Sequence, residues 1–290
     1  MLALLEFSVS LIAVNIADIN KSINLSRRNF MNYRTILLAS AAVMFAGSAM
    51  AADLTGALYL PNKGQLTSNT SYEYGRTQIK HRYGGEADKD ASLAEEIVYG
   101  ITDNFAVKAT LENDFDANGD YNNDHNFVYN IGAAYNMNYG KFTTQVAADY
   151  ITFSRKDFYG SDYREFKDSS KWVKILRAQL KVGYDMGNGL SPYAIYGIMG
   201  NVDTGDRYLD QSFTLGLHKY AGKWAADAAL RYDFNTDGQN TNTLWGLLEG
   251  DYYATDNIAL GLYGEYFLDG TGSHYIKYDY TLGARVKVLF

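Results

Sequence analysis

The stretch Asp114-Phe115-Asp116-Ala117-Asn118-Gly119-Asp120 sets oxygen-bearing side chains at alternate positions and a glycine where a sharp turn is needed. That is the opening half of an EF-hand calcium loop, with Asp114, Asp116, Asn118 and Asp120 as candidate ligands. The second half does not follow, because His125 stands where a bidentate glutamate belongs and no helical pattern flanks the loop. The stretch reads as a weak Ca²⁺ candidate beside a plainer alternative, a turn that uses Asp, Asn and Gly for their backbone habits. Hydrolytic chemistry has thinner support. The histidines are His81, His125, His218 and His274. Ser273 and His274 are chain neighbours that strand alternation would point apart, and Ser212 and His218 share a face at about 20 Å. A hydrolase needs nucleophile, base and orienting group within hydrogen-bond reach, so no catalytic residue is assigned and no enzyme is expected. The chain has no cysteine, which excludes disulfides and thiolate metal sites. A net charge of −7 without a basic block argues against nucleic acid. No cofactor is expected.

The elements that would position these residues are strands. From Leu282 to Phe290 the chain alternates: Leu282, Ala284, Val286, Val288 and Phe290 take one parity, Gly283, Arg285, Lys287 and, imperfectly, Leu289 the other. Similar segments recur near 65–75, 92–101, 105–112, 126–137, 142–153, 172–185, 190–200, 212–219, 224–234, 244–254, 258–267 and 277–290. Short turns at 102–104, 138–141, 186–189, 220–223 and 255–257 alternate with longer connections. Segments of about 9–11 residues suffice to cross a bilayer at a tilt, and tight turns on one side with long loops on the other are the plan of an up-and-down barrel. The 26 tyrosines and only 2 prolines in 290 residues suit a fully paired sheet with rings at two interfaces. Parity puts Trp224, Ala226, Ala228, Leu230, Tyr232 and Phe234 outside. It turns Glu96, Lys108, Glu112, Asp149, Arg177, Lys181, Asp185, His218, Asp227, Arg231, Asp233, Glu249, Asp251, Glu265, Lys277, Asp279, Arg285 and Lys287 inward, as candidate pore-lining groups. The fold class is therefore all-β: a transmembrane antiparallel up-and-down β-barrel of about twelve strands.

The start of the chain is an address. A charged opening at Met31-Asn32-Tyr33-Arg34, an apolar run over 36–47 and the small-x-small site Ala49-Met50-Ala51 make a signal peptide over 31–51. The apolar run falls short of the about 20 residues a spanning helix needs. Residues 1–30 read as a start assigned too early or an extended n-region, and residues 52–290 as the barrel.

The signal peptide, the alternating strands and the closing series Tyr278, Tyr280, Leu282, Ala284, Val286, Val288, Phe290 resemble the Gram-negative outer-membrane β-barrel proteins, porin-like in size. The resemblance implies residence in the cell outer membrane, contact with its lipid and lipopolysaccharide, and delivery by the barrel-assembly machinery through the C-terminal strand. Twelve-stranded members include narrow solute channels, a phospholipase and a lipid A deacylase. So many inward charges would be costly in a dry lumen, so a wet pore is expected, and without an Arg/Lys ladder its small hydrophilic solutes are cationic or neutral. The alternatives are a closed, partner-binding barrel and, behind it, a barrel hydrolase. N-terminal sequencing of the exported protein is expected to start at Ala52; a terminus upstream of residue 49 would remove the cleavage site.

Overall fold

A computed structural model describes residues 56–79, 88–116, 125–154, 172–202, 209–235, 242–271 and 276–290. The chain divides into units Met1–Ala46 and Gly47–Phe290. The first lies outside the described residues, as do the expected signal peptide, its expected cleavage site and residues 155–171. The second unit forms β1 (Leu66–Ile79), β2 (Asp88–Thr102), β3 (Phe105–Asp116), β4 (His125–Tyr139), β5 (Phe142–Ser154), β6 (Trp172–Tyr184), β7 (Leu190–Asn201), β8 (Leu209–Ala221), β9 (Trp224–Asn235), β10 (Asn242–Thr255), β11 (Ile258–Thr271) and β12 (Ile276–Leu289). Each strand pairs antiparallel with its chain neighbours. β1 pairs with β12 from Thr67–Leu289 to Ile79–Ile276, which closes the cylinder. Closure leaves no strand edge unpaired, the condition a sheet must meet to sit in hydrocarbon.

Period-two alternation explains both walls. Trp224, Leu230, Leu248, Leu262 and Leu282 project outward and are exposed, while Ala225, Asp227 and Ala229 of β9 turn inward. Rings gather at the rim of the short turns, where Phe142 lies 4.7 Å from Tyr184 and Trp224 4.8 Å from Tyr252. Toward the far rim Phe127 sits by Tyr129 and Tyr232 by Phe234. Several strands run past their expected ends at that far rim. β2 starts at Asp88 rather than 92, β8 at Leu209 rather than 212, and β3 runs to Asp116. These extensions are polar, so they carry strand geometry without the alternation that marks the apolar band. The backbone of Asp114 and Asp116 is extended and paired, opposite Ser92 and Asp90 on β2. Asn118 and Asp120 lie outside the described residues.

The short turns need left-handed backbone. Gly189 has φ 72° and Gly222 φ 65°. A side chain at Gly222 meets open space, but one at Gly189 would run into the Tyr220 carbonyl. Gly222→Ala is expected to cost about 1 kcal/mol, the left-handed penalty alone. Gly189→Ala should cost roughly 1–3 kcal/mol more, because overpacking adds to it. Urea unfolding in detergent micelles, followed by tryptophan fluorescence, measures both; equal costs would contradict this assignment.

Candidate functional site

The inward groups meet through the lateral register of the sheet. Lys108, Gly132, Asp149 and Arg177 stand side by side on β3, β4, β5 and β6. Arg285, Gly261 and Asp251 do so on β12, β11 and β10. In both rows a long cation crosses a glycine to an acid two strands away. Lys108 Nζ lies 2.8 Å from Asp149 Oδ1, and Arg285 donates from Nη2 to Asp251 Oδ2 at 2.6 Å. Tyrosines use the same device. The Tyr193 ring lies over Gly216 and its hydroxyl donates to Asp227 at 2.6 Å. The Tyr263 ring lies over Gly283 and its hydroxyl donates to Glu73 at 2.6 Å. A Cβ at any of these glycines would overlap the crossing side chain.

Further pairs complete the wall. Arg177 Nε donates to Asp149 Oδ2 at 2.9 Å. Arg285 also reaches Glu249 and stacks over Tyr263 at 5.4 Å. Arg231 grips Glu265 with both Nη atoms at 3.0 Å, donates to Asp233 at 3.1 Å, and stacks over Trp245 at 5.5 Å. His218 Nδ1 is 3.5 Å from Asp227 Oδ2. Every one of these contacts joins groups on the same strand or no more than two strands apart. They tile the wall and do not bridge the bore. The Asp149 and Asp251 side chains are almost fully buried, 0% and 1% exposed, and each keeps a cation, as a buried carboxylate must.

What crosses the bore is backbone. Residues 56–65 precede β1 and fold into the short-turn end of the lumen as a strap. Lys181 Nζ donates to the Ala57 carbonyl at 3.1 Å. Asn136 Nδ2 and Gln145 Nε2 donate to the Leu58 carbonyl at 3.1 and 3.2 Å. Gly183 leaves room for the Leu58 side chain, and Gly100 for the carbonyls of Pro61 and Asn62. At the rim, Gly64 N donates to Gly100 O and Gly100 N to Gln65 O. Tyr59 packs on an apolar cluster of Ala225, Tyr253, Ala259 and Leu289. Leu289, the break in the alternation of β12, thus faces inward against the strap. Two spaces adjoin the strap: one of about 160 Å³ lined by Tyr193, Asp227, Glu249, Tyr263 and Glu265, and one of about 310 Å³ lined by Glu96, Lys108, Gln179, Lys181, Arg285 and Lys287.

Most of the expected pore residues fall on the inward face. Glu96, Glu112 and Asp279 do so by register, and the rest by the contacts above. Asp185 departs from the expectation: β6 ends at Tyr184, and Asp185 is exposed in the turn, accepting from Gly187 N at 2.7 Å. The side chain of Lys277 lies outside the described residues, as do His81 and His274. Sequence reasoning missed Glu73, Tyr193 and Tyr263, having counted only charges and read β1 weakly; Gly216 and Gly283 were the available signal. It also missed the strap, whose trace was Leu289. Ser191 stands opposite His218 in register, next to Asp227. Among the described residues no group of three or more His, Cys, Asp or Glu could hold a metal ion.

No family profile and no curated sequence matches the chain. Solved structures do. An outer-membrane channel from Pseudomonas putida F1 superposes with a TM-score of 0.60 at 12% identity, over 81% of this chain and 99% of that one. The NanC porin superposes with a TM-score of 0.50 at 10% identity, over 76% and 98%. The chain has the fold of the outer-membrane β-barrels, in its twelve-stranded form.

Arg285→Met would strand two acids, Glu249 and Asp251. It is expected to lower stability by about 3–5 kcal/mol, and Glu249→Gln with Asp251→Asn should restore much of the loss. Urea midpoints of the single, double and triple variants check this; an undiminished loss in the triple variant would show that Arg285 acts through packing alone.

Proposed function

We propose that the protein is a narrow channel of the Gram-negative outer membrane, through which small hydrophilic solutes diffuse. The carrying observation is the lateral pairing of the lumen charges. Groups that neutralise one another along the wall leave the bore clear of side-chain bridges, and the strap narrows it at the short-turn end. The apolar outer face between two bands of rings supports the location. The two barrels with which it superposes are described as a channel and a porin, which supports the same reading. Their likeness reaches this chain through the fold alone.

Asp227, Glu249 and Glu265 line the smaller space and favour cations and neutral solutes there. Lys108, Lys181, Arg285 and Lys287 outnumber Glu96 around the larger one, so the cation preference proposed rests on the smaller space. Water there removes most of the desolvation cost that these acids would otherwise carry. The outward apolar series of β12, ending at Phe290, is the segment offered to the assembly machinery, with lipid and lipopolysaccharide as its later surroundings. A second reading draws on the strap, since a lumen held shut at one end also suits a barrel whose outer loops bind a partner.

Single-channel recording of refolded protein separates the two. Small, cation-preferring conductance is expected, and deletion of residues 52–61 should raise it several-fold while the barrel still folds. Asp227→Asn with Glu265→Gln should move the reversal potential in a salt gradient toward the chloride value. Clear anion preference in the unaltered protein, or no conductance even after the deletion, would refute the channel.

A further inference from the structure

One row of the lumen wall has the order of the ion-paired rows without their pairing. Lys287, Asn69, Glu96, Thr110 and Asn130 stand side by side on β12, β1, β2, β3 and β4. Lys287 and Glu96 are thus a cation and an acid two strands apart, as are Lys108 and Asp149, or Arg285 and Asp251. In those two rows the middle residue is glycine, and the long cation lies across it to its acid. Here the middle residue is Asn69, whose side chain stands in the path that glycine leaves open. Among the described residues neither Lys287 nor Glu96 has a hydrogen-bond or ion-pair partner. Both line the larger space beside the strap, as does Asn69. The other charges of that space are engaged: Lys108 by Asp149, Lys181 by the Ala57 carbonyl, and Arg285 by Glu249 and Asp251. The row is also short of partners between and beyond its charges. Asn69 Oδ1, Thr110 Oγ1 and Asn130 Oδ1 are shut off from solvent and have no hydrogen-bond partner.

A cation and an acid held apart on one wall each call for a counter-charge or for water. We propose that the larger space is a binding site for a small zwitterion, a solute of amino-acid size bearing one ammonium and one carboxylate. Lys287 Nζ donates to the carboxylate, and the Glu96 carboxylate accepts from the ammonium. The backbones of β12 and β2 are about 10 Å apart here, two strand spacings of ~4.8 Å, so the solute fits between side chains that lean toward each other. A volume of about 310 Å³ admits it. Asn69 keeps the two charges from closing on one another and sets an amide between them, where an ammonium has further N–H groups to place. A simple cation would leave Lys287 uncompensated, and a simple anion would leave Glu96 so; a solute with both charges answers both.

This inference rests on the channel proposed above and names the class of solute it takes. Saturation-transfer NMR on the refolded full chain in detergent micelles tests it with L-alanine and its two truncated isosteres, propanoate and ethylammonium. Transfer to the alanine methyl group is expected to exceed that to either isostere at least five-fold at equal concentration. Lys287→Met should reduce alanine to the level of ethylammonium, and Glu96→Gln to that of propanoate. Asn69→Gly clears the path for Lys287 to reach Glu96, so it should cut alanine transfer at least five-fold although both charges remain. Heat-modifiable gel mobility shows that each variant folds, and single-channel conductance is recorded on the same preparations. Equal transfer to all three probes, or alanine transfer indifferent to any one of the three substitutions, would overturn the site, with conductance showing the channel intact. Absence of conductance with and without residues 52–61 would end both.

Discussion

Everything inside this barrel depends on lateral register. The ladder that closes β1 on β12 fixes which residues stand level with one another around twelve strands. Only that levelling lets Lys108 reach Asp149 across Gly132, or Tyr263 reach Glu73 across Gly283. A slip of one residue in any hairpin would turn a whole strand inside out and separate donor from acid. The charges do not drive the fold, because burying an ion pair yields little net stability. They make alternatives costly, since a misregistered barrel would carry unpaired carboxylates inside and polar groups against lipid.

The glycines bear on the shape of the channel. A side chain at Gly216 or Gly261 would force Tyr193 or Arg285 to stand up into the bore. With glycine beneath them these long groups lie along the wall, and the lumen stays wider than its residue sizes imply. Lys108, Arg177, Arg231 and Arg285 are held in the wall by acids, while Lys181 reaches the strap. The strap, not a side-chain plug, accounts for the obstruction at the short-turn end.

Much of the architecture was legible in the sequence, because a strand writes its two faces in alternate letters. The short turns, the Trp224–Phe234 outer face and the terminal strand could all be read locally. Register could not. Which residue of β11 stands beside Glu249 of β10 depends on hairpin lengths and bulges, such as those near Leu244 and Tyr253, that leave no periodic mark. Polar strand ends were equally silent, as at Asp88 and Asp116. The strap has no repeat of its own and was visible only where it disturbed one, at Leu289. On β1 the polar Ser68 and Thr70 stand on the outward parity, where both donate to Glu95 of β2, so hydropathy alone does not separate the two faces of that strand.

The seam holds one more implication. Phe290 N donates to Leu66 O at 2.8 Å, and Leu66 N to Phe290 O at 3.2 Å. These bonds are the last stitches of the cylinder, and the residue they fasten is also the root from which the strap enters. Closing the seam therefore also fixes where the strap enters, so the bonds that complete the cylinder set how far its mouth is narrowed.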